Sequence, residues 1–134
     1  MARLSDAQRA FIQDNPFVGT VTTLRADGSP HSTVVWVDVD GDDVRFNTPR
    51  GSAKARHLAA DPRVTLVVID PSEMYRWVGV SGTATIIEEG ADPHIDALAK
   101  KFLGADSYPF RRPDETRLTV RITPDRVDGI GFSG

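Results

Sequence analysis

Short segments rich in Val, Ile and Thr recur along this chain of 134 residues and restrict its fold more than any other feature. These residues favour extended backbone, and the Asp, Gly and Pro residues between the segments favour turns. The pattern predicts strands over residues 17–25, 31–38, 44–48, 64–69, 76–88 and 116–123, with a continuation over 126–132. About six or seven mostly antiparallel strands in one short chain predict a closed or nearly closed β-barrel, because an open sheet of that size would leave aggregation-prone edges.

Three short helices are expected between the strands. Ser5 followed by Gln8 forms a capping box, and the residues that follow predict an amphipathic helix over 5–14. Residues 52–60 and 91–104 are also predicted to be helical, and the second of these segments carries an apolar stripe. A chain of this length fits one domain with a single core, so all 134 residues are expected to form one mainly β domain of the α+β class.

The strands carry three more specific expectations. The first three should pair as an antiparallel meander, because short turns at 26–30 and 40–42 separate them. The strand 64–69 is almost wholly apolar, which predicts burial of both its faces. Gly79 and Gly82 interrupt the long strand that follows, and they indicate either close approach of a ligand or partner chain, or a bulge that bends a barrel strand.

Composition excludes several classes of function. The chain contains no cysteine, which removes disulfides, thiolate metal sites and thiol nucleophiles. Its net charge of -3 and pI near 5.5 argue against a nucleic-acid partner. No apolar run approaches the roughly 20 residues that a membrane helix needs, and the start of the chain has no apolar signal-peptide core. A cytoplasmic protein without a membrane or nucleic-acid partner is therefore expected.

The sequence contains no recognisable motif for a metal site, for nucleotide binding or for a serine nucleophile. His31, His57 and His94 lie on different predicted elements with no metal-ligand spacing, so no metal site is expected. The chain also lacks a dinucleotide fingerprint, a Walker loop and a nucleophile elbow. If the protein is an enzyme, a bound cofactor is therefore expected to supply the chemistry. The loop 105–115 is long for a small domain and is a candidate lid that would set the choice of substrate.

The main candidate site is the segment 46–58, where a predicted strand runs through a Pro-Arg-Gly-Ser turn into a helix. The first turn of a helix has free N–H groups and a partial positive charge, so Ser52, Lys54 and Arg56 together favour binding of a phosphate. On an ideal helix Lys54 and Arg56 lie about 200° apart, so Arg50 and Lys54, or Lys54 and His57, share a face more easily for one phosphate. The alternative is an ordinary turn that Ser52 caps, with solvated basic side chains.

The order of these segments resembles the pyridoxamine 5'-phosphate oxidase-like split β-barrel family, and within it the small F420 (deazaflavin)-dependent oxidoreductases. The likeness extends over nearly the whole chain. The residues that carry it are Phe17-Val18-Gly19-Thr20-Val21, Asp27-Gly28-Ser29-Pro30-His31, Val35-Trp36-Val37, Phe46-Asn47-Thr48, Ser52-x-Lys54-x-Arg56-x-Leu58 and Asp61-Pro62-Arg63-Val64. The fold that the resemblance implies is an FMN-binding-split-barrel-like domain.

The resemblance also implies a homodimer with a flavin or deazaflavin in a groove at the subunit interface. Coenzyme F420 is the expected cofactor, with FMN as the alternative. The family's phosphate-binding segment, with Arg50 beside it, matches Thr48, Ser52, Lys54 and Arg56. The strand whose backbone faces the tricyclic ring matches Val34, Val35 and Trp36. The strand that the second subunit contributes matches Trp77 and Val78. The charged tail of F420 would need a longer positive track, for which the candidates are Arg50, Arg56, Arg63, Arg111 and Arg112.

The implied activity is transfer of a hydride from the C5 carbon of reduced F420 to an electron-poor small organic substrate. Such a transfer depends mainly on holding donor and acceptor close and aligned, so no strong general acid is required. His31, Tyr75 and Tyr108 are the candidates for donating the accompanying proton. The chain lacks the Arg-rich C-terminal segment with which pyridoxamine 5'-phosphate oxidases hold their substrate, so that activity is not expected.

Other functions remain open. The chain fits an FMN-dependent oxidoreductase of the same fold. It also fits a non-catalytic carrier or sensor of flavin or deazaflavin, because nothing in the sequence compels catalysis. An interaction module without a cofactor is the remaining alternative.

Overall fold

The computed structural model describes residues 2–132, and within them seven antiparallel strands form one sheet that three helices cover. The helices are α1 (Asp6–Gln13), α2 (Ala53–Ala60) and α3 (Ala91–Leu103). The strands are β1 (Gly19–Leu24), β2 (Pro30–Val35), β3 (Asp38–Asp40), β4 (Asp43–Pro49), β5 (Arg63–Asp70), β6 (Glu73–Ile87) and β7 (Arg117–Ile130). The predicted fold class is confirmed, while the extreme C-terminus at residues 133–134 lies outside the described part.

The sheet curls into a split barrel because its two edge strands are neighbours in sequence. The strand order is β2-β1-β5-β6-β7-β4-β3. Only Trp36 and Val37 separate the end of β2 from the start of β3, so the two edges of the sheet must come together. The barrel core is formed by fully buried side chains that include Phe46, Leu66 and Ile122. No helix within residues 2–132 is long and apolar enough to cross a membrane.

The predicted three-stranded meander is wrong. The segment 31–38 breaks at Trp36, and its two parts lie at opposite edges of the sheet. β4 therefore pairs with β3 and β7 and not with β2. The break is stabilised by a side chain, since the Val37 carbonyl accepts a hydrogen bond from Lys101 Nζ at 2.7 Å.

The helix starts follow the predicted capping residues. Ser5 and Gln8 form the reciprocal capping box of α1. Ser52 caps α2 by accepting a hydrogen bond from the Ala55 N–H at 3.2 Å. Both caps satisfy backbone donors that the first helical turn leaves without an intrahelical partner.

The expectation that the apolar strand 64–69 is buried on both faces is wrong. Val64, Leu66 and Val68 point into the core, whereas Ile69 on the opposite face is 44% exposed. In the described chain no layer of structure covers that opposite face. We use the name outer apolar face for five side chains on the same side of the sheet, Val34, Val67, Ile69, Trp77 and Ile130.

The two glycines of β6 have explanations within the chain itself. A Cβ atom on Gly82 would lie 2.0 Å from the Thr123 carbonyl oxygen, at a register shift between β6 and β7. Gly82 is therefore required by a bulge, which is the second of the two predicted explanations. A Cβ on Gly79 would lie 3.2 Å from the ring of Trp77.

Candidate functional site

A cavity of about 720 Å³ lies where the ends of β2 and β4 meet α3 and the loop that follows it. Its volume is within the range of about 300–1,000 Å³ that is usual for sites of small organic ligands. Side chains from β2, β4, the start of α2, α3, the loop 104–116 and the start of β7 line it. The loop that we predicted as a lid contributes Tyr108, Phe110, Arg112, Asp114 and Glu115.

Six of the ten predicted cofactor-binding residues line this cavity, namely Val34, Val35, Trp36, Thr48, Arg50 and Lys54. Ser52 lies just behind them, because its Oγ accepts a hydrogen bond from Thr48 Oγ1 at 2.8 Å. Arg56 instead lines a separate cavity of about 350 Å³ on the other side of α2. Arg50 borders both cavities and pairs with Glu88 at 2.9 Å.

The remaining predicted residues lie away from the cavity, with one exception. Trp77 lies on the outer apolar face, and Val78 points into the barrel core. His31 packs edge-on against His57, with 5.1 Å between ring centroids, and Tyr75 is exposed near the start of β6. Only Tyr108 among the candidate proton donors lines the cavity within one chain.

One wall of the cavity is apolar and aromatic. The Trp36 ring stacks on Phe102 with 5.6 Å between centroids and 9° between planes. Tyr108 meets Trp36 edge-on at 6.0 Å. These distances are typical of stabilising aromatic pairs. With Val34 and Val35 beside it, this wall presents a surface suited to a flat ring system.

Lys101 fixes the chain next to this wall. Its ammonium group donates to the carbonyls of Ile12 at 2.6 Å and Val37 at 2.7 Å, and Val37 directly follows Trp36. Burial lowers the pKa of Lys101 to about 8, although the charges of Asp38 and Asp14 oppose this shift. The sequence analysis missed this contact because Lys101 and its two partners are far apart in the chain.

The cavity also carries positive charge. Lys54 is half-buried, and no carboxylate of residues 2–132 lies within ion-pair distance of its ammonium group. Burial, together with the charge of Arg117, lowers the pKa of Lys54. Arg117 is only 6% exposed and its guanidinium lies 5.0 Å from the centre of the Tyr108 ring. Two cations thus line the same cavity and lie near enough to influence each other.

Most of the arginines proposed for the positive track are paired with carboxylates of the chain itself. Arg63 pairs with Asp61 at 2.7 Å, and Arg111 pairs with Asp92 and Asp96 at 2.8 Å each. Of the five arginines considered, only Arg50 and Arg112 line the cavity.

Among residues 2–132 no group of three or more histidine and carboxylate side chains is arranged to hold a metal ion.

Asn47 and Arg117 are two polar residues of the cavity to which the sequence analysis assigned no role. Both are buried polar side chains within strands, and they contact each other across two neighbouring strands. A polar residue at a strand position that the alternating pattern predicts to be buried can indicate a functional residue from the sequence alone. However, the partner of each comes from 70 residues away, so the pairing itself is not readable from the sequence.

The amino-acid sequence is similar to a known protein family and to a characterised protein over nearly the whole chain. The sequence profile of the family described as pyridoxamine 5'-phosphate oxidase matches residues 4–131. A protein of Mycobacterium tuberculosis (strain CDC 1551 / Oshkosh) described as F420H(2)-dependent biliverdin reductase is 34% identical over 130 residues, which cover 95% of this chain and 88% of that protein.

Solved structures show the same architecture. A structure described as F420 reductase has a TM-score of 0.77 and 25% identity, covering 89% of this chain and 94% of that one. A conserved hypothetical protein of Mycobacterium tuberculosis has a TM-score of 0.73 and 24% identity, with 98% and 93% covered. An FMN binding protein of Nostoc punctiforme that is related to pyridoxamine 5'-phosphate oxidase has a TM-score of 0.61 and 18% identity, with 83% and 72% covered. The last two likenesses concern the fold alone.

Proposed function

The chain belongs to the pyridoxamine 5'-phosphate oxidase family, and from this premise we propose that it is a reductase that uses coenzyme F420 to reduce an electron-poor small organic molecule. The observation that carries the proposal is a single cavity that is lined both by an aromatic wall and by the cationic side chains of Lys54 and Arg117. The names of two similar proteins, an F420H(2)-dependent biliverdin reductase and an F420 reductase, support F420 over FMN.

The residues at the start of α2 fit a phosphate group. Ser52 Oγ accepts hydrogen bonds from Thr48 and from the Ala55 N–H, so its own hydroxyl proton is available to a phosphate oxygen. The N–H groups of Ala53 and Lys54 belong to the first helical turn and have no intrahelical acceptor. Lys54 adds a positive charge that no carboxylate of the described chain offsets.

The other side chains would orient the reactants and exclude water. When bound, reduced F420 supplies the hydride. Val34, Val35 and Trp36 would hold the ring of the cofactor, and the loop 104–116, which lines the same cavity, would exclude water from it. The loop is tied to α3, because the Tyr108 N–H donates to Asp96 at 2.8 Å. The Tyr108 hydroxyl is our candidate for delivering the proton, since its ring lines the cavity.

A cofactor titration followed by a turnover assay tests the proposed function. We expect the purified protein to bind F420 in a fluorescence titration, and to bind FMN at least about tenfold more weakly. Reduced F420 should then be oxidised on addition of an acceptor, and biliverdin is the first to test because of the 34% identical relative. Tight binding of FMN without F420 would instead favour the flavin-dependent alternative. Binding of F420 without oxidation by tetrapyrroles, quinones or enones would favour a carrier or sensor.

We also propose that two copies of the chain associate through the outer apolar face. Val34 is 65% exposed on this face and lines the cavity as well, so the face and the mouth of the cavity are continuous. Ile130 and Ile69 are 49% and 44% exposed, and such contiguous apolar surface is typical of protein interfaces. A second copy seated there would cover the cavity mouth and bring its Trp77 close to it.

Replacing Ile69 with glutamate is expected to convert the dimer into monomers, because the substitution places a charge within the proposed interface. Sedimentation velocity would measure the mass of each variant, and the affinity for F420 should fall at least about tenfold because the cavity loses its cover. Thr85→Glu is the matched control, since Thr85 is exposed on β6 outside the outer apolar face. A monomeric wild-type protein would contradict the proposed dimer.

A further inference from the structure

A buried chain of polar side chains leads from β3 to the wall of the cavity. His94 on α3 contacts Asp38 through Nε2 at 3.2 Å and Thr119 through Nδ1 at 2.9 Å. Asn47 Nδ2 lies 3.2 Å from the same Nδ1 atom and donates to the Ala91 carbonyl at 3.0 Å. These groups lie under α3, outside the barrel core, and the mechanism proposed above does not use them.

The hydrogen-bond directions in this chain follow from its two ends. Asp38 accepts two bonds from Arg45, at 2.9 and 2.8 Å, and burial opposes its ionisation, but the bonds from His94 and Arg45 hold the pKa of Asp38 below its usual value. A carboxylate only accepts, so the Nε2 atom of His94 carries a proton and donates to Asp38. The Asn47 amide nitrogen is then fixed by the Ala91 carbonyl, which leaves the amide oxygen pointing the other way.

Arg117 donates a hydrogen bond to that amide oxygen. Its Nε donates to Asn47 Oδ1 at 2.8 Å, and its Nη1 pairs with Glu115. Nη2 has no hydrogen-bond partner within residues 2–132, although the side chain lines the cavity. A guanidinium held on two sides presents its third nitrogen in a fixed direction.

The charges of this part of the cavity do not balance. Glu115 offsets the charge of Arg117, and the half-buried ammonium of Lys54 then remains without a counter-ion in the described chain. Buried charges are costly unless they are paired and hydrogen-bonded. An anionic group between Lys54 and Arg117 would supply the missing charge and the missing acceptor together.

We propose that Arg117 binds an anionic oxygen of the molecule in the cavity, and that Asn47, itself fixed by His94, orients the guanidinium for this contact. The shared chemistry is that of a phosphate or carboxylate, which either the cofactor or the substrate provides. The identity of the ligand rests on the proposed function, whereas the anion site does not.

The test replaces the whole ion pair, because Arg117→Met alone would leave Glu115 buried and unpaired. The double variant Arg117→Met/Glu115→Gln removes both charges. Its matched control is Arg63→Met/Asp61→Asn, a pair with an Arg–Asp distance of 2.7 Å that lies away from the cavity. Arg117→Lys, which keeps the charge but not the planar fork, covers the case in which the double variant fails to fold.

Three measurements locate the anion. Inorganic phosphate is titrated against the protein without cofactor, F420 is titrated by fluorescence, and the KM for biliverdin is measured with saturating reduced F420. Loss of a charged hydrogen bond should weaken binding by about ten- to a hundredfold. A raised dissociation constant for F420 assigns the contact to the cofactor. A raised KM with unchanged F420 affinity assigns it to the substrate. Values equal to those of the control pair in all three measurements overturn the inference.

The phosphate titration separates this inference from the proposed function. Phosphate binding that the double variant loses supports the anion site even if F420 does not bind. The positioning role of Asn47 is tested with Asn47→Ala beside Thr119→Val. Both variants remove a contact to His94 Nδ1, but only the first removes the acceptor of Arg117 Nε. We expect weaker anion binding in Asn47→Ala alone, and equal effects in the two variants would refute the positioning role.

Discussion

Replacement of Lys54 with alanine is expected to raise the dissociation constant for F420 by about ten- to a hundredfold, the usual effect of losing a hydrogen bond to a charged group. Lys54 lies at the start of α2 on the wall of the cavity, beside the Ser52 hydroxyl and the first free N–H groups of the helix. No carboxylate within residues 2–132 competes for its ammonium group.

A fluorescence titration of F420 against wild type and variant measures this effect. Lys100→Ala is the matched control, because Lys100 is exposed on α3 and does not line the cavity. An unchanged affinity in Lys54→Ala would contradict binding of an anion at the start of α2. It would then favour a domain that binds no phosphate-bearing cofactor at this position.

The same lysine predicts a dependence of binding on pH. Burial and the nearby charge of Arg117 lower the pKa of Lys54 below the usual value of a lysine side chain, so the unliganded protein loses this positive charge at a lower pH than a free lysine does. An anion binds the charged form, so affinity should decline as the pH rises through the lowered pKa. Binding in turn raises that pKa. The decline should be weaker in Lys54→Ala, and an identical pH profile in both proteins would argue against a role for this charge.

Replacement of Gly82 with alanine is expected to lower the free energy of unfolding by at least about 3 kcal/mol, which places it among the most damaging single substitutions. The added Cβ would lie 2.0 Å from the Thr123 carbonyl oxygen and 3.1 Å from the Pro124 Cα. Both contacts are with backbone atoms, so no side-chain rotation relieves the clash. The central β6–β7 ladder must move or break.

Urea denaturation followed by circular dichroism measures this loss. Ser81→Ala is the matched control, since it removes a hydroxyl next to the bulge together with its exposed 3.2 Å hydrogen bond to Thr65 Oγ1, and should change stability by less than about 1 kcal/mol. A Gly82→Ala protein as stable as the control would mean that the bulge does not require glycine. The interpretation of this residue as a ligand or partner contact would then return.

The part of the fold that could be predicted depends on local contacts. Helix α1 follows from Ser5 and Gln8, which interact three residues apart, and the cap of α2 follows from Ser52 in the same way. The continuation of β7 past Pro124 was also expected, and the strand does run to Ile130 with an irregular register at that point. In both helix caps the interacting groups are close in sequence, so the pattern of residues carries the information.

The errors concern contacts between distant residues. The segment 31–38 has the alternation of one strand, and its division at Trp36 becomes visible only when Lys101 reaches the Val37 carbonyl. The strand 64–69 has the composition of a strand buried on both sides, yet Ile69 is exposed. Side-chain hydrophobicity alone does not distinguish burial in the core from exposure on an apolar surface.

The sequence by itself determined the three helices, most of the strands, the caps of α1 and α2, and Lys54 as a basic residue at the start of a helix. Only the tertiary structure decided the order of the strands, the position of the outer apolar face, and the meeting of Lys54 with Arg117 across one cavity. The physical reason is that a capping or turn residue acts through neighbours within a few positions. By contrast, a sheet edge or a pair of buried cations depends on which segments, far apart in the chain, fold against each other.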